Sequence, residues 1–154
     1  MKILEKLLNV ILAATVVTIA VVTIMQVFSR FVLKLPIPWA TDVVRISFIF
    51  CIFFGATIAV REKSHLSVDF LTSILSNKAQ VFLEYFSDIF ILFFLVFMVR
   101  YGFVLAMKSM NQSMPYLTWI KMAYVYMSIP ISGTLMIFYT LLNVRRKILG
   151  KDKK

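Results

Sequence analysis

Long apolar runs alternate with short segments that carry charges or prolines along this chain. The apolar runs predict four transmembrane helices, at about residues 7–33, 42–60, 79–107 and 122–144. Each run approaches or exceeds the ~20 residues that an α-helix needs to cross a bilayer. The second run is the plainest, because residues 46–60 are uncharged and Arg61, Glu62 and Lys63 follow at once. The pattern therefore predicts an all-α integral membrane protein.

A fifth, shorter helix is predicted between the second and third spans. Residues 66–76 are too few and too polar to cross a bilayer, but their large apolar side chains share one helical face: Leu66, Phe70, Leu71, Ile74 and Leu75. An amphipathic segment of this kind lies in the membrane interface, and Asp69 falls in its first turn, where the helix dipole favours an acid. We therefore expect one domain over residues 1–154, with four transmembrane helices and a short in-plane amphipathic helix.

The first span differs from a cleavable signal peptide. Its apolar run is longer than the roughly 7–15 residues of a signal-peptide core, and no small-x-small cleavage site ends it, so we expect it to stay attached. Thr15, Thr18, Gln26 and Ser29 form a polar stripe along it, with Arg30 at the edge. The stripe either faces protein or, for the threonines, bonds carbonyls of the same helix.

Three arginines and one aspartate fall near the ends of the predicted spans. Asp42 and Arg45 are three residues apart and so lie on one helical face. Arg30 and Arg100 reach a similar depth if successive helices are antiparallel. Asp42 is then the single acid available to this arginine layer (Arg30, Arg45 and Arg100), and we expect it to be the counter-ion. Either the layer is wet or another subunit neutralises part of it.

Small and rigid residues mark where helices are expected to pack or bend. Gly55 and Ala59, four apart in the second span, leave room for another helix to approach. Pro130 stands inside the fourth span and frees the carbonyl of Tyr126 from its helical hydrogen bond, which predicts a kink. Trp39, between the first and second spans, suits the headgroup region. The second span is therefore expected to pack against a partner.

Composition and charge agree with a membrane protein. A chain of 154 residues with 61% hydrophobic residues and a mean hydropathy of +0.90 has more apolar surface than a water-soluble core of its size can bury. The net charge of +10 comes from basic residues between and after the spans, so we expect no nucleic-acid partner. Eleven of the 17 Lys and Arg residues fall in the N-terminal segment, the second loop and the C-terminal tail. That side, with both termini, is expected to be cytoplasmic.

Residues suited to enzymatic chemistry are scarce. The chain has one cysteine, Cys51, and one histidine, His65, without a cluster of metal ligands or a glycine-rich phosphate loop. We therefore expect no enzyme and no catalytic, cofactor or metal site, and a single histidine also disfavours a haem anchor. His65 is interpreted as an interfacial residue, and Glu84 and Asp88 as solvated or salt-bridged acids near one membrane end. The competing hypothesis is an autonomous four-helix transporter or channel in which one of these acids titrates.

Several of these residues stand in a recognisable order along the chain: Arg30, Phe31, Pro38, Trp39, Asp42, Arg45, Gly55, Ala56, Arg61, His65 and Asp69. The order resembles that of the small, DctQ-type membrane subunit of tripartite ATP-independent periplasmic (TRAP) transporters. Gly102, Ser109, Tyr126 and Pro130 agree with a second block of that family, whereas its position for Asp42 more often holds glutamate. The residues expected to form structural or partner contacts are Arg30, Trp39, Asp42, Arg45, Gly55, Ala59, Arg61, His65, Asp69, Arg100 and Pro130.

The resemblance implies a division of labour between subunits. In such transporters a periplasmic substrate-binding protein delivers substrate to a large membrane subunit, which carries it with sodium by an elevator motion. The small subunit braces the stationary scaffold of the large one. The partners implied for this chain are therefore the large membrane subunit, the binding protein and phospholipid, in a bacterial inner membrane. The cargo implied is an organic acid, and of the familiar cargoes, sialic acid and C4-dicarboxylates, we expect sialic acid.

Overall fold

Five α-helices account for most of the computed structural model, which describes residues 2–62 and 77–148. They are α1 (Lys2–Phe28), α2 (Pro38–Arg61), α3 (Asn77–Lys108), α4 (Met122–Tyr126) and α5 (Ser128–Ile148). Those residues contain no β-strand, only an isolated bridge between Ser113 and Lys121. The amphipathic helix expected at 66–76 lies outside the described residues, as do His65 and Asp69.

Four segments are long and apolar enough to cross a membrane: Ile3–Leu33, Pro38–Arg61, Tyr85–Lys108 and Met122–Arg145. The prediction of an all-α protein with four membrane spans is confirmed. The first span ends in a π-helical turn, Ser29–Leu33, after which Lys34 takes a left-handed conformation with φ of 54° and donates its N–H to the carbonyl of Ser29. Pro38 then begins α2, where its fixed φ and its missing N–H suit the first turn of a helix.

The helices lie side by side in the order α1, α2, α5, α3. α1 packs on α2, α2 packs also on α5, and α5 packs also on α3. A cluster of Leu8, Phe54 and Tyr139 joins the first three helices of this row. A row encloses no central core, so much apolar surface stays outside: only 6% of the most apolar stretch of Ile3–Leu33 is buried, against 44% for Met122–Arg145. This helix row therefore has two broad faces that the described residues do not cover.

A tight crossing joins α3 and α5, and each helix contributes a glycine to it. A Cβ atom at Gly102 would lie 2.7 Å from Cγ2 of Ile129, and one at Gly133 would lie 2.7 Å from Cγ2 of Val99. Carbon atoms do not approach so closely without a clash, so the distance between these two helices depends on glycine at both positions. We call this contact the glycine crossing (Val99, Gly102, Ile129 and Gly133).

The fourth span is interrupted at Met127, between α4 and α5. Pro130 has no N–H to offer the carbonyl of Tyr126, which explains a break at this point. The helix is therefore interrupted next to Pro130, and the kink itself stays a prediction. The Ser132 hydroxyl, which donates to the carbonyl of Ser128 at 2.6 Å, reinforces the first turn after the break.

The polar stripe of α1 divides between two roles. The hydroxyls of Thr15 and Thr18 each donate to a carbonyl of their own helix at 2.8 Å, as Ser and Thr in membrane helices commonly do. Gln26 instead donates from Nε2 to Oγ1 of Thr41 in α2 at 3.1 Å. The Ser29 hydroxyl donates to a carbonyl in the connection that follows, at 2.5 Å. Only the C-terminal part of the stripe therefore joins α1 to the next segment.

Candidate partner-binding surface

Asp42 lies in the second turn of α2 and is 1% exposed. Its Oδ2 accepts hydrogen bonds from the backbone N–H groups of Tyr116, at 2.7 Å, and Leu117, at 3.0 Å. Both donors belong to the connection between α3 and α4, so the carboxylate fastens that connection to the start of α2. We call this arrangement the Asp42 clamp (Asp42, Tyr116 and Leu117), and its end of the helix row the clamp end.

The clamp overturns the expectation that Asp42 is the counter-ion of the arginine layer. Among the side chains that the structure describes, Asp42 forms no ion pair, whereas Arg61 pairs with Glu62 at 2.7 Å. Two N–H donors satisfy a buried carboxylate without taking a second charge out of water, which a buried ion pair would require. Backbone donors leave no residue signature, so the sequence carried no signal for the clamp.

The arginine layer remains at the surface of the helix row. Arg30 lies in the π-helical turn, Arg45 one turn after Asp42, and Arg100 in the last third of α3; all three side chains are exposed. Among the residues that the structure describes, no carboxylate lies within 4.0 Å of them. A charged side chain near hydrocarbon needs water, a lipid headgroup or an acid from another subunit. The layer is therefore open to a ligand from outside the chain.

The other expected contacts fall in different parts of the row. Gly55 lies against α1, where an added Cβ would meet Cδ1 of Leu12 at an ordinary 3.5 Å. It therefore packs against α1 within the chain. Pro130 is buried next to the glycine crossing, while Ala59 is exposed and Trp39 is 45% exposed. Ala59 and Trp39 are thus the members of this group that a partner can reach.

At the end opposite the clamp, α2 and α5 share a polar contact. Asn143 donates from Nδ2 to the carbonyl of Val60 at 3.1 Å, which satisfies an acceptor in the last turn of α2. Arg61 follows directly, and its side chain is 16% exposed and paired with Glu62. The side chain of the predicted contact residue Arg61 is therefore largely buried, with Nη2 bonded to Glu62 and Nη1 without a hydrogen-bond partner among the described residues.

Large apolar side chains cover the outer surface of the row. α3, at one end of the row, exposes six phenylalanines, at 44–64% of their full area: Phe86, Phe90, Phe93, Phe94, Phe97 and Phe103. α1, at the other end, exposes mainly valine and isoleucine. An apolar surface of this extent is incompatible with water but suits lipid or the helices of another subunit. The described surface is therefore suited to contact with lipid or with other helices.

This architecture defines a multi-pass membrane protein built as a single layer of helices. Residues 19–150 match the family described as tripartite ATP-independent periplasmic transporters, DctQ component. The match covers most of the chain, so the chain belongs to this family of TRAP small permease subunits, and the resemblance read from its motifs is confirmed. The family is one of transporter components and not of enzymes.

Two relatives are permease proteins of sialic acid TRAP transporters. The chain is 24% identical over 157 residues to the small permease protein SiaQ of Vibrio cholerae serotype O1 (strain ATCC 39315 / El Tor Inaba N16961), and the match covers 97% of this chain and 90% of SiaQ. It is 23% identical over 138 residues to the permease protein SiaT of Haemophilus influenzae (strain 86-028NP), covering 90% of this chain and 22% of SiaT. The chain thus spans most of SiaQ but about a fifth of SiaT.

Proposed function

We propose that this chain is the small permease subunit of a TRAP transporter in a bacterial inner membrane, where it braces the stationary scaffold of a large elevator-type subunit. The observation that carries the proposal is the helix row, whose two broad faces are left uncovered by residues 2–62 and 77–148. A subunit that braces a moving partner has to be rigid. The glycine crossing and the Asp42 clamp hold neighbouring elements of this chain together. One face is suited to the helices of the large subunit and the other to lipid.

The proposed transport is sodium-coupled uptake of an organic acid that a periplasmic binding protein delivers. The support for sialic acid as this cargo is that both relatives, SiaQ and SiaT, are proteins of sialic acid transporters. In this proposal the substrate and sodium sites belong to the large subunit. The exposed arginine layer would then meet acids of that subunit, water or lipid headgroups.

The position of Asp88 supports a scaffold over an autonomous transporter. Asp88 is 7% exposed and lies 20 residues before Lys108, where the span ends, or about 30 Å along the helix, which is the thickness of the hydrocarbon core. Coupling sites of secondary transporters lie near the bilayer midplane, where each side can reach them in turn. An acid so close to one membrane face is poorly placed for that task.

Proteoliposomes that contain only this chain are expected to take up no sialic acid under a sodium gradient. Uptake is expected only when the large subunit and the binding protein are added, because the polar site that transport requires comes from the large subunit. The measurement is accumulation of radiolabelled sialic acid, with potassium in place of sodium as the control. Uptake by the chain alone that Asp88→Asn abolishes would contradict the proposal, as would failure of the two membrane subunits to copurify.

Both termini are proposed to lie in the cytoplasm and the clamp end in the periplasm. In a Cys51→Ala background, Lys151→Cys is expected to react with a membrane-impermeant maleimide only from the cytoplasm, and Ser113→Cys only from the periplasm. The reason is the excess of Lys and Arg on the side of the termini, together with four crossings of the membrane. Labelling of both cysteines from one side would rule out this topology.

A further inference from the structure

A groove of about 770 Å³ runs along the surface of the helix row between α3 and the interrupted fourth span. Its walls include Val104 and Phe103 from α3, and Met127, Pro130 and Ile131 from the other side. The groove forms where α4 gives way to α5, beside the glycine crossing that holds α3 and α5 together. It is therefore built into the packing of these helices.

Arg100 is the charged residue of this groove. Thr134, the other polar residue in its lining, already donates its hydroxyl to the carbonyl of Pro130 at 2.7 Å. Arg100 has no carboxylate within 4.0 Å among the described residues, and its side chain is exposed. The groove thus offers one free cationic group and otherwise apolar walls, a chemistry that matches a ligand with one anionic head and a long apolar tail.

The depth of Arg100 fits a lipid headgroup better than bulk water. Arg100 lies eight residues before Lys108, the last residue of its span, or about 12 Å from the membrane surface if the helix stands upright. A long arginine side chain can extend toward the headgroup region while its stem stays in hydrocarbon. A guanidinium in that position makes strong bidentate hydrogen bonds to a phosphate.

We propose that this groove binds an anionic phospholipid of the leaflet at the clamp end, with its phosphate on Arg100 and an acyl chain along Phe103, Met127 and Ile131. Charge complementarity selects this occupant, because a helix from another subunit would have to place a carboxylate opposite Arg100 as well as fill the groove. The proposal concerns this chain alone and does not depend on its role in transport.

The first test is a titration of the purified, delipidated chain in detergent with phosphatidylglycerol, followed by native mass spectrometry. Arg100→Gln is expected to weaken the tightest lipid binding about tenfold. Arg45→Gln is the matched control, because Arg45 is an exposed arginine of the same layer outside the groove, and it is expected to change that binding less than twofold. Ile131→Trp, which fills the groove but keeps Arg100, is expected to weaken binding as well. Equal effects of Arg100→Gln and Arg45→Gln, or unchanged binding in Ile131→Trp, would overturn the proposal.

The second test separates lipid from a protein occupant. A photoreactive benzoylphenylalanine replaces Phe103 in the groove or, as a control, Phe97 on the same helix, which is similarly exposed at 44% against 49%. Irradiation after detergent extraction is expected to give a phospholipid adduct at position 103 and little at 97, and Arg100→Gln is expected to reduce the adduct at 103. A cross-link from 103 to another membrane protein, or equal lipid adducts at both positions, would overturn the proposal.

Discussion

Replacing Asp42 with alanine is expected to destabilise the protein by about 2–4 kcal/mol, because two N–H groups of the clamp lose their acceptor. Asp42→Asn is expected to cost less, about 1–2 kcal/mol, since an amide oxygen can still accept both hydrogen bonds but without the negative charge. The measurement is the apparent melting temperature of the purified protein in detergent, together with the yield of monodisperse protein. The two variants should therefore rank below wild type in the order asparagine, then alanine.

The ranking separates the clamp from an ion pair with the arginine layer. If Asp42 neutralised an arginine, asparagine would remove the charge as completely as alanine, and the two variants would be equally unstable. In that case Arg45→Gln would also restore stability to Asp42→Asn by removing the unpaired cation. Equal loss in both variants with rescue by Arg45→Gln would show that the clamp is not the main role of Asp42.

Gly102→Ala is expected to destabilise the protein by about 1–3 kcal/mol, because the new Cβ would meet the branched side chain of Ile129 at 2.7 Å. Gly133→Ala is expected to act in the same direction, through Val99. Gly55→Ala is the matched control, since its Cβ meets Leu12 at 3.5 Å, and the better helix propensity of alanine should leave it neutral or stabilise it by up to about 1 kcal/mol. Thermal unfolding in detergent measures all three.

The sign of the effect is what tests the glycine crossing. The chemical change is the same at all three positions, so differences between the variants report the local distance between helices and not the cost of alanine itself. Double substitution Gly102→Ala with Ile129→Ala is expected to recover part of the loss by removing the clashing branch. Stability at or above wild type in both Gly102→Ala and Gly133→Ala would mean that α3 and α5 can separate at little cost.

The four spans could be predicted from the sequence because each is a long apolar run, and the lipid environment dictates that pattern directly. The lateral order of the helices could not, because the second and third spans are apolar on nearly every side and carry no stripe to show which side faces a neighbour. For the same reason the sequence did not show which glycine lies at the closest contact between helices. Spacing to Ala59 favoured Gly55, whereas the tight approach lies at Gly102 and Gly133, which have no such spacing to each other in the chain.

The chemistry of the candidate surface was also predicted only in part. The arginine layer follows from charges inside apolar runs, and its members are indeed exposed. The role of Asp42 was predicted wrongly. Its partners are backbone N–H groups 74 and 75 residues away, and the side chains of those residues give no sign of the contact. The groove beside Arg100 requires the interruption at Met127 and the glycine crossing together, so no single stretch of sequence contains it.

The order of the helix row has a consequence for biosynthesis. α5 occupies an inner position of the row but leaves the ribosome after α1, α2 and α3, so α3 finds its main neighbour only when α5 arrives. In a nascent chain that ends before Met122, α1 and α2 would be paired, whereas α3 would be surrounded by lipid without its main neighbour. The Asp42 clamp can form before α5 is made, since Tyr116 and Leu117 precede α4. It would then hold the start of the fourth span near its final position between α2 and α3.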